Sequence, residues 1–232
     1  LNQLSALSRL SSAIMHDIRN PLNSIGLNTE LLEEALESPR PGGEERIAGL
    51  VQATKRQLQQ LRANLDHYLT YTHLSHLKVE PFDLGLEVGR LVQETRLEAV
   101  FQAVTLEYSA SGGACPVVGD WIQLRRVFVN LITNAMEATG ASGVIQVRLG
   151  RRGRRVYVSI TDDGPGIEPE IERSLFTPFF TTKKSGAGLG LFICREIVLA
   201  HHGRISVASK RGQGTRFTVS LPLHAHPEDQ TP

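Results

Sequence analysis

Residues 121–167 read WIQLRRVFVNLITNAMEATGASGVIQVRLGRRGRRVYVSITDDGPGI, and the grammar of this stretch decides the fold of most of the chain. Ile122, Leu124, Val127, Phe128, Leu131, Ile132 and Met136 recur at helical spacing, which predicts a helix over 121–139 with one apolar stripe. Val144–Leu149 and Val156–Ile160 then flank an Arg-rich turn around Gly153 and read as a β-hairpin. Working outward, Val104, Leu106 and Tyr108 alternate as in a strand. Leu191–Ala200 reads as a second helix stopped by Gly203, and Arg204–Ser209 with Thr215–Leu221 as a last strand pair. Helices and strands mixed in this way predict an α/β domain over residues 83–223. The polar, proline-containing tail 224–232 is expected to be disordered.

The first 77 residues follow a different pattern. Positions 4, 7, 11, 14 and 18 are Leu, Leu, Ser, Ile and Ile, continued at Ile25 and Leu32. After the helix stop Ser38-Pro39-Arg40-Pro41-Gly42-Gly43, positions 47, 51, 54, 58, 61, 65 and 68 are Ile, Val, Thr, Leu, Leu, Leu and Tyr. Both are heptad seams, so two helices joined by a short loop are expected to form an antiparallel hairpin. One hairpin shields two seams poorly. Pairing two hairpins into a four-helix bundle, a homodimer through residues 4–75, is the expected remedy, with packing of the hairpin on its own second domain as the alternative. Lys78-Val79-Glu80-Pro81 reads as the linker between the two parts.

Composition narrows the function classes. In 232 residues, 41% hydrophobic and 21% charged residues exclude wholesale disorder. Twenty-five basic against 24 acidic residues give no bulk attraction to nucleic acid or anionic lipid, so neither is an expected partner of this fragment. Two cysteines, Cys115 and Cys194, exclude a disulfide scaffold or a cysteine-rich zinc module and are expected to be inert. No run of 18 apolar residues, the length needed to cross a membrane as a helix, is present. The chain begins at Leu rather than Met, and the expectation is a cytoplasmic fragment of something longer, whose full length can carry a membrane anchor.

Four motifs carry chemistry. In the first, His16 falls at the exposed f position of its heptad, within His16-Asp17-Ile18-Arg19-Asn20-Pro21-Leu22. A helix-interior proline costs roughly 3 kcal/mol, and here that cost is accepted beside an exposed histidine. A neutral imidazole is a nucleophile, a carboxylate such as Asp17 would fix its tautomer, and Asn20, one turn on, could position a water. In the second, Asn130 and Asn134 lie one turn apart on one helical face, and an amide oxygen suits Mg²⁺. In the third, Asp162-Asp163-Gly164-Pro165-Gly166-Ile167 follows a strand, where a carboxylate can accept from an exocyclic amine and the glycines admit a flat ligand. In the fourth, Gly186-Ala187-Gly188-Leu189-Gly190-Leu191 runs into a helix as a phosphate cradle. Between the last two motifs, Phe176-Thr177-Pro178-Phe179-Phe180-Thr181-Thr182-Lys183-Lys184 reads as a mobile lid. Each motif alone also has an ordinary structural reading as a cap, turn or core residue. Arg151, Arg152, Arg154 and Arg155 read as a solvated turn.

Taken together and in this order, the motifs resemble those of the sensor histidine kinases of two-component signalling, over about residues 4–222. HDIRNPL is similar to the phosphoacceptor H box, NLITNAMEA to the N box, DDGPGI and GAGLGL to the glycine boxes, and LFTPFF to the F box. Gly212-Gln213-Gly214-Thr215 resembles the final glycine-threonine element. The resemblance implies an α+β chain: a dimerisation and phosphotransfer hairpin over 1–77, then a Bergerat-type α/β sandwich binding ATP and Mg²⁺ over 83–223. It implies that His16 is phosphorylated and passes the group to an aspartate of a response-regulator receiver domain. It makes Asp17 the assisting carboxylate, Asn134 the Mg²⁺ ligand and Asn130 its companion; Asn20, from its place one turn past His16, is a candidate to position water for regulator dephosphorylation. Asp162 becomes the adenine reader, Gly164, Gly166, Gly188 and Gly190 the nucleotide-contacting glycines, and Thr215 an aid at the adenine pocket. Lys183, after the F box, would approach the phosphates. Two positions depart from the pattern: Asp17 stands where Glu is commoner, and Ala187 where Thr is common. Gyrase-like and chaperone ATPases share this fold but use a Glu at the position of Asn130, a poor base, so the site reads as one that holds ATP without fast hydrolysis. A degenerate kinase serving as a dimeric scaffold is the non-enzymatic alternative.

Overall fold

The computed structural model describes residues 2–37, 43–73, 77–101, 103–140, 142–183 and 188–224; the side chains of residues 2–17, 60, 63, 64, 66–73, 98 and 101 fall outside that description. The chain divides into two compact units, one reaching Thr72 and the other made of His73–Thr181 with the residues from Gly188 onward.

The first unit is helical. Helix α1 spans Asn2–Glu37 and α2 spans Gly43–His73, with Glu44 and Glu45 in the first turn of α2, where negative charge complements the helix dipole. Arg46 of α2 faces Glu34 of α1 at 3.8 Å, an exposed pair that marks the two helices doubling back at the turn. Pro21 is accommodated inside α1, its ring buried. Three residues on, the Ser24 hydroxyl donates to the Asn20 carbonyl at 3.1 Å. Ile18, Ile25 and Leu32 of the first seam, and Ile47, Val51, Thr54 and Leu61 of the second, are half-buried, whereas Leu58 and Leu65 stand exposed.

The second unit is an α/β sandwich. Its strands are β1 (Glu80–Asp83), β2 (Thr105–Ala110), β3 (Pro116–Gly119), β4 (Val144–Arg152), β5 (Arg155–Asp162), β6 (Arg204–Ser209) and β7 (Thr215–Pro222). Its helices are α3 (Leu84–Phe101), α4 (Trp121–Thr139), the single turn α5 (Pro169–Glu172) and α6 (Gly190–Ala200). A five-stranded mixed sheet runs β2-β4-β5-β7-β6, with β2 and β4 parallel and the other pairs antiparallel. Ile145, Val147 and Leu149 of β4, Val156, Val158 and Ile160 of β5, and Phe217, Val219 and Leu221 of β7 form the buried face. Against it pack Leu84, Val88 and Leu91 of α3, Leu124, Val127, Phe128, Leu131 and Ile132 of α4, and Ile197 and Val198 of α6. Each such side chain contributes about 1.5–3 kcal/mol of transfer free energy. The alternate positions, among them Arg148, Ser159, Thr161 and Thr218, are polar, as a one-sided sheet requires.

Three expectations need correction. Glu80 and Pro81 are not linker: they open β1, which pairs antiparallel with β3, Glu80 opposite Gly119 and Pro81 opposite Val118. A two-strand ribbon tolerates proline because each strand has a free edge. Helix α3 was not anticipated, although Asp83 signals it by accepting the amides of Gly85 (2.7 Å) and Leu86 (3.0 Å) ahead of an apolar series at 84, 88, 91 and 92. Ile122, assigned to the apolar stripe, is exposed, because at about 3.6 residues per turn it lies on the side of α4 opposite Leu124 and Leu131. The tail at 225–232 lies outside the described residues; just before it, the Leu223 amide donates to the Arg154 carbonyl and the His224 amide to the Pro116 carbonyl.

Candidate nucleotide site and phosphoacceptor helix

The edge of α4 brings the two asparagines together. Asp120 caps the helix through Oδ1, which accepts the Gln123 amide at 3.2 Å. About three and four turns further in, the Asn134 amide nitrogen donates to Asn130 Oδ1 at 2.9 Å, which turns the Asn134 oxygen the other way. Both residues are half-buried, beside the core stripe rather than in it. Gly190, the first residue of α6, lies against Asn130: a Cβ there would stand 2.7 Å from Asn130 Nδ2. The helix-entering end of the second glycine motif is therefore packed on Asn130, and a larger residue at Gly190 would displace the Asn130 amide.

At the end of β5, Asp162 is buried at 5% exposure. Its Oδ1 accepts the amides of Gly164 (3.0 Å) and Thr215 (3.2 Å), while Oδ2 takes no hydrogen bond from another described residue. Burial pushes the Asp162 carboxyl above its ordinary value, and the backbone N–H groups of Gly164, Thr215 and Asp162 itself hold it back. A buried carboxylate with one oxygen anchored and the other open is an acceptor waiting for a donor. The glycines around it are sterically required. A Cβ on Gly166, at φ +73°, would strike the Lys210 carbonyl; one on Gly164 would come within 2.9 Å of the Ala138 carbonyl oxygen. The Gly212 amide donates to the Pro165 carbonyl at 2.6 Å, closing the turn across to the loop between β6 and β7.

Sequence reasoning missed Ser209. Its Oγ accepts the Ile167 amide at 2.8 Å, donates to the Gly214 carbonyl at 2.9 Å and lies 2.9 Å from Thr215 Oγ1. Ser209 thus joins the first glycine motif to Gly214 and Thr215. The signal was its position at the end of a strand six residues before Thr215, too common to single out. His201 was missed as well. It is buried, its Nε2 accepts the Asp120 amide at 2.9 Å, and Nδ1 faces the Ile197 carbonyl at 2.7 Å, so the ring is the neutral Nδ1–H tautomer. Burial lowers its pKa.

The stretch read as a lid starts as ordered turns. After α5, Ser174 bonds Ile171, Thr177 bonds Ser174 and Phe180 bonds Thr177 through their backbones. Phe176 packs edge-on against Phe217 at 6.5 Å. Phe179 adopts φ +65°, and its backbone lies against Gly188, itself at φ +68°, where a Cβ would collide. Lys183 is exposed on a segment separate from the second unit, and residues 184–187, with Ala187, lie outside the described residues. His16 and Asp17 sit on the helical backbone of α1, with side chains outside the description; Asn20 is exposed.

Neither cysteine is reactive in this setting. Burial pushes the Cys194 thiol up to about 12 and raises that of Cys115. Arg151, Arg152 and Arg154 are exposed around Gly153 at φ +58°, the solvated turn expected, but Arg155 departs from it: half-buried at the start of β5, its guanidinium donates to the Ser220 carbonyl of β7 at 2.9 Å. Among the described residues, no helix is long and apolar enough to cross a membrane.

Comparison with known proteins agrees with this geometry. Residues 6–76 match the family model of the His Kinase A (phospho-acceptor) domain, and residues 119–225 that of the histidine kinase-, DNA gyrase B- and HSP90-like ATPases. The sensor histidine kinase ZraS of Escherichia coli O157:H7 is 35% identical over 228 residues, 98% of this chain and 48% of the relative. The C4-dicarboxylate transport sensor protein DctS of Rhodobacter capsulatus is 34% identical over 239 residues, 95% of this chain and 34% of the relative. The chain thus spans half or less of the length of these relatives. Among solved structures, the catalytic domain of histidine kinase ThkA superposes with a TM-score of 0.59 at 30% identity, covering 63% of this chain and 96% of that one. ThkA in complex with the response regulator protein TrrA superposes with a TM-score of 0.76 at 27% identity, covering 96% of this chain and 64% of that one. A phospho-acceptor hairpin followed by this ATPase fold separates the chain from the gyrase and chaperone branches: it belongs to the sensor histidine kinase family of two-component signalling.

Proposed function

We propose that the chain moves the γ-phosphoryl group of ATP onto His16 and then to an aspartate of a response-regulator receiver domain, acting as a homodimer through residues 4–75. Residues 1–77 serve as the dimerisation and phosphotransfer part, and residues 83–223 as the ATP-binding part. The observation that carries this reading is the half-satisfied buried carboxylate of Asp162, which suits the exocyclic amine of adenine. Gly164 and Gly166 leave room for the flat base, and Thr215 stands beside it. Gly188 and Gly190 shape the approach to the phosphates. The exposed leucines of the hairpin support the dimer.

Asn134 suits Mg²⁺, since its nitrogen is turned to Asn130 and its hard oxygen faces away. The ion would offset phosphate charge when bound. Asn130 holds the Asn134 amide in orientation and cannot act as a general base, which favours retention of ATP over hydrolysis. Lys183 would add positive charge near the phosphates. On the hairpin, His16 supplies the lone pair: the new N–P bond forms as the bond from phosphorus to the β–γ bridging oxygen breaks and ADP leaves. Asp17 stabilises the imidazolium formed on attack, and Asn20 positions water for removal of phosphate from the regulator. Incubation with γ-labelled ATP and Mg²⁺ tests the reading. The label on the protein is expected to be acid-labile and base-stable, as for a phosphoramidate. An acid-stable label would overturn it.

A further inference from the structure

The nucleotide end of the sheet holds a hydroxyl pair whose protons can be counted. Ser209 brings one O–H and two lone pairs. Its three neighbours are the Ile167 amide at 2.8 Å, the Gly214 carbonyl at 2.9 Å and Thr215 Oγ1 at 2.9 Å. The amide can only donate, so it takes one lone pair. The carbonyl can only accept, so it takes the Ser209 proton; otherwise two oxygens would face each other at 2.9 Å with no hydrogen between them. The third contact then has one solution. Thr215 donates its proton to the remaining lone pair of Ser209, and toward its other side the Thr215 hydroxyl presents lone pairs alone.

That hydroxyl stands next to the adenine reader. Thr215 pairs with Asp162 across β5 and β7, so the two side chains share one face of the sheet, and the Thr215 amide holds Asp162 Oδ1. We propose that Ser209 is a specificity-determining positioning residue: by taking the Thr215 proton it makes that hydroxyl a pure acceptor. With the Asp162 carboxylate, the pocket then accepts a purine bearing an amine at C6 and rejects one bearing a carbonyl. The discrimination belongs to the C6 substituent, which both acceptors are taken to face: an amine there supplies N–H donors, whereas a 6-oxo purine sets oxygen lone pairs against them and keeps its one edge donor on N1. Without Ser209, the Thr215 hydroxyl is released to turn and donate to that carbonyl. The inference rests on the reading of residues 83–223 as the ATP-binding part.

The test is competition between ATP and inosine triphosphate on the full chain, since inosine triphosphate carries oxygen in place of the C6 amine. The wild-type chain favours ATP. Ser209→Ala is expected to shrink the ATP-to-ITP affinity ratio about three- to tenfold, the worth of one hydrogen bond. Ser209→Thr, which keeps the hydroxyl, restores it, and Ser209→Cys, nearly isosteric but a weak acceptor, shrinks it and serves should the alanine variant not fold. In a Thr215→Val background there is no hydroxyl to orient, so adding Ser209→Ala leaves the ratio unchanged. Equal weakening of both nucleotides in Ser209→Ala would mark a merely structural residue and overturn the proposal. So would a further change of ratio in the double variant. A wild-type chain that binds neither nucleotide would instead overturn the ATP-binding reading, and the proposal with it.

Discussion

The two units bury the same residue type to different depths. In the α/β unit, Leu84, Leu91, Leu124 and Leu131 are wholly buried, although Leu86, Leu97 and Leu199 stand exposed; in the hairpin no described leucine is buried, and Leu27 is 56% and Leu36 66% exposed. A sheet offers a continuous apolar face, and three helices laid on it bury their stripes against one partner. Two helices that meet along a single line leave most of each circumference open. One unit therefore closes its own core, while the other carries apolar surface that a second hairpin would cover. The division suits the proposed chemistry: a nucleotide pocket needs the rigid, dry surroundings that Asp162 has, and a phosphoacceptor must be reached by two different partners.

The sharpest way to break this contrast is to separate the units. A fragment from Leu77 to His224, which keeps β1 and its pairing with β3, is expected to be monomeric, folded and able to bind ATP, while the full chain sediments as a dimer at micromolar concentration. A monomeric full chain would remove the role given to the exposed leucines. Next in size is core truncation. Leu131→Ala should cost about 2–5 kcal/mol of stability by denaturant unfolding of the same fragment. Leu97→Ala in that fragment, at a site 73% exposed, should stay within about 0.5 kcal/mol.

Smaller again is Asp162→Asn. A charge-assisted hydrogen bond of roughly 1.5–3 kcal/mol predicts ATP affinity reduced about 10- to 150-fold. Burial raises the Asp162 pKa, so its ionised form opposes folding at neutral pH, and calorimetry of the nucleotide-free variant should show stability no lower than wild type. The smallest effect concerns His201. Its folded pKa is lowered, so the unfolded chain binds a proton first as pH falls below about 6.5. Stability contributed by neutral His201 is therefore full above that pH and drains away as acid takes the chain toward the folded pKa. Thermal midpoints between pH 7.5 and 5.5 should fall less steeply in His201→Gln than in wild type.

Much of the architecture was legible because periodicity is a strong signal where helices and strands each bury one face. Helix α4, the β4–β5 hairpin, α6 and the β6–β7 pair lie where the pattern placed them. Helix α3 escaped because Gly85 and Gly89 interrupt its apolar series and its cap sits on Asp83, in a stretch read as leaving the linker. Strands β1 and β3 escaped because four residues each are too few to show alternation. At the site, Asp162, Asn130, Asn134 and the glycines stood out as polar or small residues where pattern asks for apolar ones. Ser209 and His201 did not, since their roles depend on partners 42 and 81 residues away in sequence, Ile167 and Asp120. Long-range hydrogen bonds leave no local mark.

The most direct test of the proposed division of labour between the units is to label His16→Gln with γ-labelled ATP and Mg²⁺ while measuring its nucleotide affinity by calorimetry. The expected result is complete loss of protein label with ATP affinity equal to wild type, the acceptor lost and the ATP-binding unit intact. Persistent labelling of His16→Gln would place the acceptor elsewhere and contradict the assignment of the hairpin as the phosphotransfer unit.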